Sequence, residues 1–352
     1  MAAAETYVVE AESRMIGQMP SALAAAGFLA DGIEALRRAG EAKERIESLR
    51  KRLSEIQQLS LSEMKTFSTE KLDISAPIES AREHVRGHDL LTALMRFALG
   101  YELIDCAELK KTVTENANDF PMQHLFGASI IDSQGRVIKQ KPGMFGLSGE
   151  DLEKRLLEEM FSHAAQFMWS LRVTTYIEPG RIQIYNDHHP GTDDLAFLVT
   201  NNPFVPPGHE GIFLRGIVAG FHRDFLVAAH LLVPQIENSL RYVLESHGVD
   251  VSNLKSDGTQ PVKVLGAIFD MKETTEILGE SLCFELRGCL IEKTGYDFRN
   301  RVAHGFVSEA ECYSAAASLI WWLVLRICLI PIFQALNSRE DTPPATEGEG
   351  GI

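Results

Sequence analysis

Leu319-Ile320-Trp321-Trp322-Leu323-Val324-Leu325-Arg326-Ile327-Cys328 carries apolar side chains in every direction around a helix, interrupted only by Arg326. A helix with no polar face cannot sit at a surface. It belongs at the centre of a bundle, or it buries a second face against another copy of the chain. The pattern spans 308–336 and opens on Ser308 with Glu311 three residues later, a capping box that bonds two N–H groups the first helical turn leaves free. The part from 315 to 336 is also the one membrane candidate in the chain. Arg326 at its middle is costly in hydrocarbon and Pro331 interrupts it, so a buried bundle helix, and no membrane, is expected.

Upstream of that helix the helical pattern recurs. A helix or helix pair is predicted over 211–247, with Pro234 kinking or splitting it, and another over 272–292. Four sequential helices make a bundle over 206–336. Earlier, 20–61 is helical, with Ile46, Leu49, Leu53 and Ile56 forming an apolar seam under a mixed-charge face that includes Arg45, Arg50 and Arg52. A second apolar helix is predicted over about 88–111. Between these regions the period changes. Ser129 to Ile138 reads as strand, turn at Gln134-Gly135, and returning strand. Ser148 with Asp151 three residues on opens a helix to about Arg172, and 173–204, rich in Gly, Pro, Asp and Asn, reads as a loop-rich connector with one hairpin at most. The expected fold is mainly α: a helical region over 1–120, a mixed connector over 121–205, the bundle over 206–336, and a disordered tail over 337–352.

Composition narrows the chemistry. A chain of 352 residues with 45% hydrophobic and 24% charged content is an ordinary globular protein with room for two or three structural units. Its formal net charge of −15 argues against sequence-independent binding to nucleic acid, because phosphate affinity comes mostly from Lys and Arg. Between 206 and 336 the balance is milder, eleven Lys or Arg against fifteen Asp or Glu. The five cysteines are odd in number and lack CxxC spacing, which indicates neither a disulfide framework nor a zinc site and suits a reducing, cytoplasmic setting.

Asp297-Phe298-Arg299-Asn300-Arg301-Val302-Ala303-His304-Gly305 concentrates reactive groups just before the apolar helix. A guanidinium holds a phosphate through two parallel hydrogen bonds, and an imidazole transfers protons near neutrality. In one regular helix Arg299 and His304 lie about 140° apart, while Asn300 and His304 share a face. Either the helix begins near Asn300 and leaves Arg299 on the entering turn, or a second copy completes the site. A plain structural role is the alternative: Asp297 caps a helix, Gly305 ends one, Arg299 and Arg301 pair with Glu292, Asp297 or Glu309, and His304 sits in the core.

Other clusters are weaker. Asp187-His188-His189 with Asp193-Asp194 gathers metal-capable groups, but adjacent residues rarely converge on one ion, and no metal is expected. His84 and His88 have helical ligand spacing across Gly87 without a third partner. Gly143, Gly146 and Gly149 make neither a P-loop nor a dinucleotide fingerprint, so no nucleotide cofactor is expected. Glu237 and Arg241, four apart, read as a staple along one helix.

The run Arg299 to Gly305 fits RNxxAHG, the fuller form of the RxxxxH pattern of HEPN domains. It resembles the motif of their DUF4209 branch. Pro206-Pro207-Gly208, Leu214-Arg215-Gly216-Ile217 and Leu231-Leu232-Val233-Pro234-Gln235-Ile236-Glu237-Asn238-Ser239-Leu240-Arg241 are similar to the same family, and the similarity covers about 206–336. HEPN domains are α-helical bundles that include metal-independent endoribonucleases, some serving as toxins or in defence. The resemblance implies RNA cleavage by a homodimer, with Arg299, Asn300 and His304 catalytic and Arg301 contacting substrate. A non-catalytic RNA-binding or protein-interaction module is the alternative expectation.

Overall fold

The computed structural model of the chain describes residues 2–16, 20–40, 43–63, 72–125, 127–132 and 134–340. Helix accounts for 72% of the chain and, among the described residues, the two strands form a single hairpin, so the fold is mainly α as expected. The grouping of segments differs from the sequence division. Met1–Leu72 joins Met122–Leu147 in one unit, and Asp73–Pro121 joins Ser148–Ile352 in the other.

In the first unit, helices Ala2–Ile16 and Lys43–Glu63 both pack against Ala22–Arg38. Small side chains set the spacing. Ala4, Ala11, Ala22, Ala25 and Ala26 line the seam with Leu29, Ile33 and Leu36. The predicted stripe holds: Leu49 and Ile56 are buried, and Ile46 and Leu53 are partly so. Arg45 and Arg52, on the charged face, pair with Glu5 and Glu12 of the first helix. The hairpin pairs Ala128–Ile131 with Val137–Lys141. Its turn is built by the Asp132 carboxylate, which accepts from the Gln134 and Arg136 N–H groups. Gly135, in the left-handed region, lies against the backbone of Gln57, where any side chain meets the Gln57 carbonyl oxygen.

In the second unit the helix Ala315–Glu340 is central. Every residue from Leu319 to Leu325 is buried, and Leu90–Leu99, Glu210–Phe221, Phe225–Ser246 and Glu280–Leu290 pack around it. Over 319–325 one chain therefore covers all its faces, whereas 333–338 are exposed. Although this segment is long and apolar enough to cross a membrane, 72% of its most apolar window is buried inside the protein. Arg326 donates to the Ala98 and Tyr101 carbonyl oxygens, both at 2.7 Å, and lies over the Trp322 ring. The Trp321 indole donates to the Ile217 carbonyl and fills the notch left by Gly220.

Several boundaries fall elsewhere than predicted. The segment 173–204, expected to be a loop-rich connector, is largely helical. From Gly149–His163 the helix runs on through π-helical segments Ala164–Met168 and Val173–Ile177 to Glu178–His188. Tertiary packing overrides local propensity: Trp169, Val173, Ile177 and Ile184 are buried, and Thr174 and Thr175 bond back to carbonyls four residues earlier. Ser148 makes no side-chain cap. The 211–247 pair breaks at His222–Asp224, where Asp224 caps the next helix through Val227 N–H, and Pro234 stays inside Phe225–Ser246. The helix predicted over 88–111 is two, Leu90–Leu99 and Cys106–Asp119, each capped by an aspartate. The segment 272–292 divides at Gly279, which has a positive φ. The Ser308–Glu311 capping box forms, but on a short turn before the long helix. That helix reaches Glu340, so 337–340 are not a disordered tail, and 341–352 lie outside the described residues.

Candidate functional site

The motif occupies one short helix, Phe298–Ala303. Gly295 touches the Gly288 backbone too closely for any side chain, and Tyr296 N–H bonds the Gly288 carbonyl, which tethers the approach to the helix Glu280–Leu290. Asp297 then turns the chain with a left-handed φ of 49°. Phe298, 1% exposed, anchors the helix in the core among Leu232, Val233 and Trp321. The helix thus begins before Arg299, and the arrangement that leaves Arg299 on an entering turn is not the one adopted.

Arg299 reaches across to Phe225–Ser246. Its Nε and Nη2 donate to Glu237 Oε2 at 2.9 and 2.6 Å, and its Nη1 donates to Asn300 Oδ1 at 3.1 Å. The other oxygen of Glu237 accepts from Arg241, whose Nε and Nη2 also donate to the Lys263 carbonyl at 3.2 and 3.1 Å. One carboxylate therefore sits between two guanidiniums. The Glu237 side chain is 11% exposed and that of Arg299 is 31% exposed. Asn300 Nδ2 donates to Asp297 Oδ1 at 2.6 Å. Burial pushes the Asp297 carboxyl up from its ordinary value, against hydrogen bonding from Asn300 and the charge of Lys293 and Arg301.

The far end of the helix is built differently. Arg301 pairs with Glu311, the capping-box residue. Burial raises the Glu311 carboxyl, but hydrogen bonds from the Ser308 N–H, from Arg301 and from the Ser308 hydroxyl outweigh it and hold it at about 2. His304 ends the helix, its N–H on the Asn300 carbonyl, with an exposed side chain. Its ring centre lies 5.7 Å from that of Phe306.

The structure brings Arg299 and Asn300 together with Asp297, Glu237 and Arg241. It does not bring His304 or Arg301 into that cluster. Among the described residues no hydrogen bond or ion pair joins the His304 side chain to Arg299, Asn300 or Arg301. Asn300, which the spacing places on one face with His304, instead accepts from Arg299 and donates to Asp297. Asp297 makes no cap, and His304 is not a core histidine. The arginines do pair with acids, but with Glu237 and Glu311 rather than with the nearby acids Glu292, Asp297 and Glu309. By its spacing Glu237 is legible as a staple to Arg241. The i,i+4 spacing showed that bond, but nothing in the sequence showed that the second oxygen meets Arg299, 62 residues away.

Other chemistry has less support. Among the described residues no three His, Cys, Asp or Glu side chains stand close enough to hold a metal ion. Asp187 and Asp194 accept from Gln183 and the Gly191 N–H. All five cysteines are buried and unpaired, and burial raises Cys106 and Cys328 to about 12 and Cys283 to about 11, far from the thiolate a nucleophile needs. The pair Arg172–Glu285 is closed to substrate, with Glu285 also accepting from the Ile104 N–H. No known protein family, curated protein or solved structure matches the chain.

Proposed function

We propose that the chain is a cytoplasmic HEPN-like endoribonuclease that needs no metal and acts as a homodimer through its C-terminal bundle. The observation that supports this is an oriented, partly exposed Arg299 and an exposed His304 on the two ends of one six-residue helix. A ribose 2′-hydroxyl attacks the adjacent phosphorus, and the bond to the 5′-oxygen breaks. His304 takes the hydroxyl proton or supplies one to the departing oxygen. Arg299 stabilises the charge growing on the phosphoryl oxygens. Asn300 holds Arg299 in place, and Arg301 is the second cation for the substrate. Because helix geometry sets Arg299 and His304 about 140° apart, each site takes Arg299 from one copy and His304 from the other. The products carry a 2′,3′-cyclic phosphate and a 5′-hydroxyl. A toxin or defence effector is the setting that the HEPN resemblance suggests.

A second reading has its own observation. Arg299, Arg241 and Arg301 are all paired with carboxylates, in a chain of net charge −15. This favours the non-catalytic alternative, a protein-interaction module more than an RNA-binding one, in which the motif staples the bundle. The discriminating measurement incubates wild type and His304→Ala with structured and single-stranded RNA in excess EDTA, with end mapping and thermal melts alongside. Cleavage by wild type alone, leaving cyclic phosphates at matched stability, is the expected result. Cleavage of all-deoxy oligonucleotides at an equal rate overturns the mechanism. No cleavage by either protein, with the mutant melting markedly lower, favours the staple.

A further inference from the structure

Phe306 is a large apolar side chain left 63% exposed beside the candidate general acid or base. Its backbone is well fixed. The Gly305 N–H bonds the Val302 carbonyl at 3.0 Å, the Phe306 N–H bonds the Arg301 carbonyl at 2.8 Å, and Gly305 has a φ of 68°. These are the paired bonds of a Schellman motif, with Gly305 and Phe306 as the two residues that follow the helix cap. In that motif the apolar residue after the glycine ordinarily folds back onto an apolar neighbour in the last turn. Here that neighbour is Arg301, which is committed to Glu311. The Phe306 Cα is thus fixed beside His304 while its ring stays largely exposed, and among the described residues its one ring contact is with His304.

We propose that Phe306 is a stacking platform for a nucleobase of single-stranded RNA, the base next to the phosphate that His304 serves. The inference rests on the ribonuclease reading and supplies what that reading lacks. Arg299 and Arg301 both face carboxylates, so charge gives the site little grip on a polyanion. Base stacking on an aromatic ring works without net positive charge and with any base, because every base has a π face. A ribose whose 2′-hydroxyl lies at His304 carries its own base within reach of a ring 5.7 Å away. The site should therefore favour unpaired RNA, whose bases are free to turn out of a helix. Its affinity should depend only weakly on salt, since few counterions are displaced.

The test is a cycle between the protein and the substrate. Wild type, Phe306→Ala, Phe306→Leu and Phe306→Trp are compared for binding by fluorescence anisotropy, and for cleavage, on a single-stranded RNA. A matched RNA has one ribose stripped of its base beside the scissile phosphate. Stacking predicts that Phe306→Ala weakens binding to the intact RNA about tenfold, the effect of losing one base–aromatic stack. Phe306→Trp restores the loss and Phe306→Leu does not. On the abasic RNA wild type and Phe306→Ala bind equally, and the tenfold gap persists from low to high salt. Equal binding of intact RNA by wild type and Phe306→Ala overturns the platform and leaves the nuclease standing if wild type still cleaves. So does an equal loss on the abasic RNA, or a fall in oligomeric mass caused by Phe306→Ala, since the ring then packs against protein. Wild type that neither binds nor cleaves RNA overturns both.

Discussion

Glu237 is the residue on which the motif's geometry turns. Without it two guanidiniums face each other near the surface of the bundle, and neither has a reason to stay in place. Removing one partner of a mostly buried ion pair leaves charge uncompensated, although the partial exposure of Arg299 lets water screen part of it. Glu237→Gln is therefore expected to lower stability by about 1–3 kcal/mol in denaturant titrations. If Arg299 acts at the phosphate, the same change lowers cleavage at least tenfold, because the guanidinium loses its orientation. Glu237→Asp should recover part of both. Unchanged cleavage by a folded Glu237→Gln protein separates Arg299 from catalysis. At this scale the sequence was informative about what lies along one helix and silent about what meets across two. Arg299, Asn300, Arg301 and His304 stood out by type and spacing. The bond from Arg299 to Glu237 did not, because a long-range contact leaves no periodic trace. Phe306 was invisible for another reason: its exposure is a property of its neighbours.

Among the elements, the helix closing the bundle was readable because apolar side chains all around a helix admit one kind of location. The segment after Arg172 was not. Thr174, Thr175, Pro179 and Gly180 are individually poor helix residues, and local propensity argued for a loop. Pro179 follows directly on the π turn Val173–Ile177, a place where the i→i−4 ladder is already interrupted. Gly180 is used for closeness rather than flexibility, since a Cβ there comes within 2.8 Å of the Phe97 ring. In an open helix glycine to alanine stabilises. Here the sign should reverse: Gly180→Ala is expected to cost about 1–3 kcal/mol by overpacking, read as a lower melting temperature. Phe97→Leu in the same chain should return part of it. A more stable Gly180→Ala would mean that the two helices move apart freely.

At the scale of the molecule, each of the two units joins segments far apart in sequence, across the bounds 1–120, 121–205 and 206–336. Helix Leu90–Leu99 packs on Ala315–Glu340, while Met122–Leu147 belongs with the first three helices. The buried pair Arg172–Glu285 ties the second unit together: Glu285 also accepts from Ile104 N–H, and Arg172 lies 5.0 Å from the Tyr101 ring centre. Burial acts to lower the Arg172 pKa, but the charge and hydrogen bond of Glu285 outweigh it and leave the value raised. Glu285→Gln strands that charge and should cost about 3–5 kcal/mol in denaturant unfolding, whereas replacing both partners with leucine-sized apolar residues should cost much less. A mild loss in the single mutant would show that water reaches Arg172.

The central position of the final helix also has a consequence in time. The Trp322 indole bonds the Phe97 carbonyl across 225 residues. On a ribosome adding roughly 5–20 residues per second, the first partner waits about 10–45 s for the second to be made. Until then the apolar faces that pack on this helix in the folded protein are made without it. The protein is assembled around a keystone that arrives late, and its yield in a cell depends on what shelters the arch in the meantime.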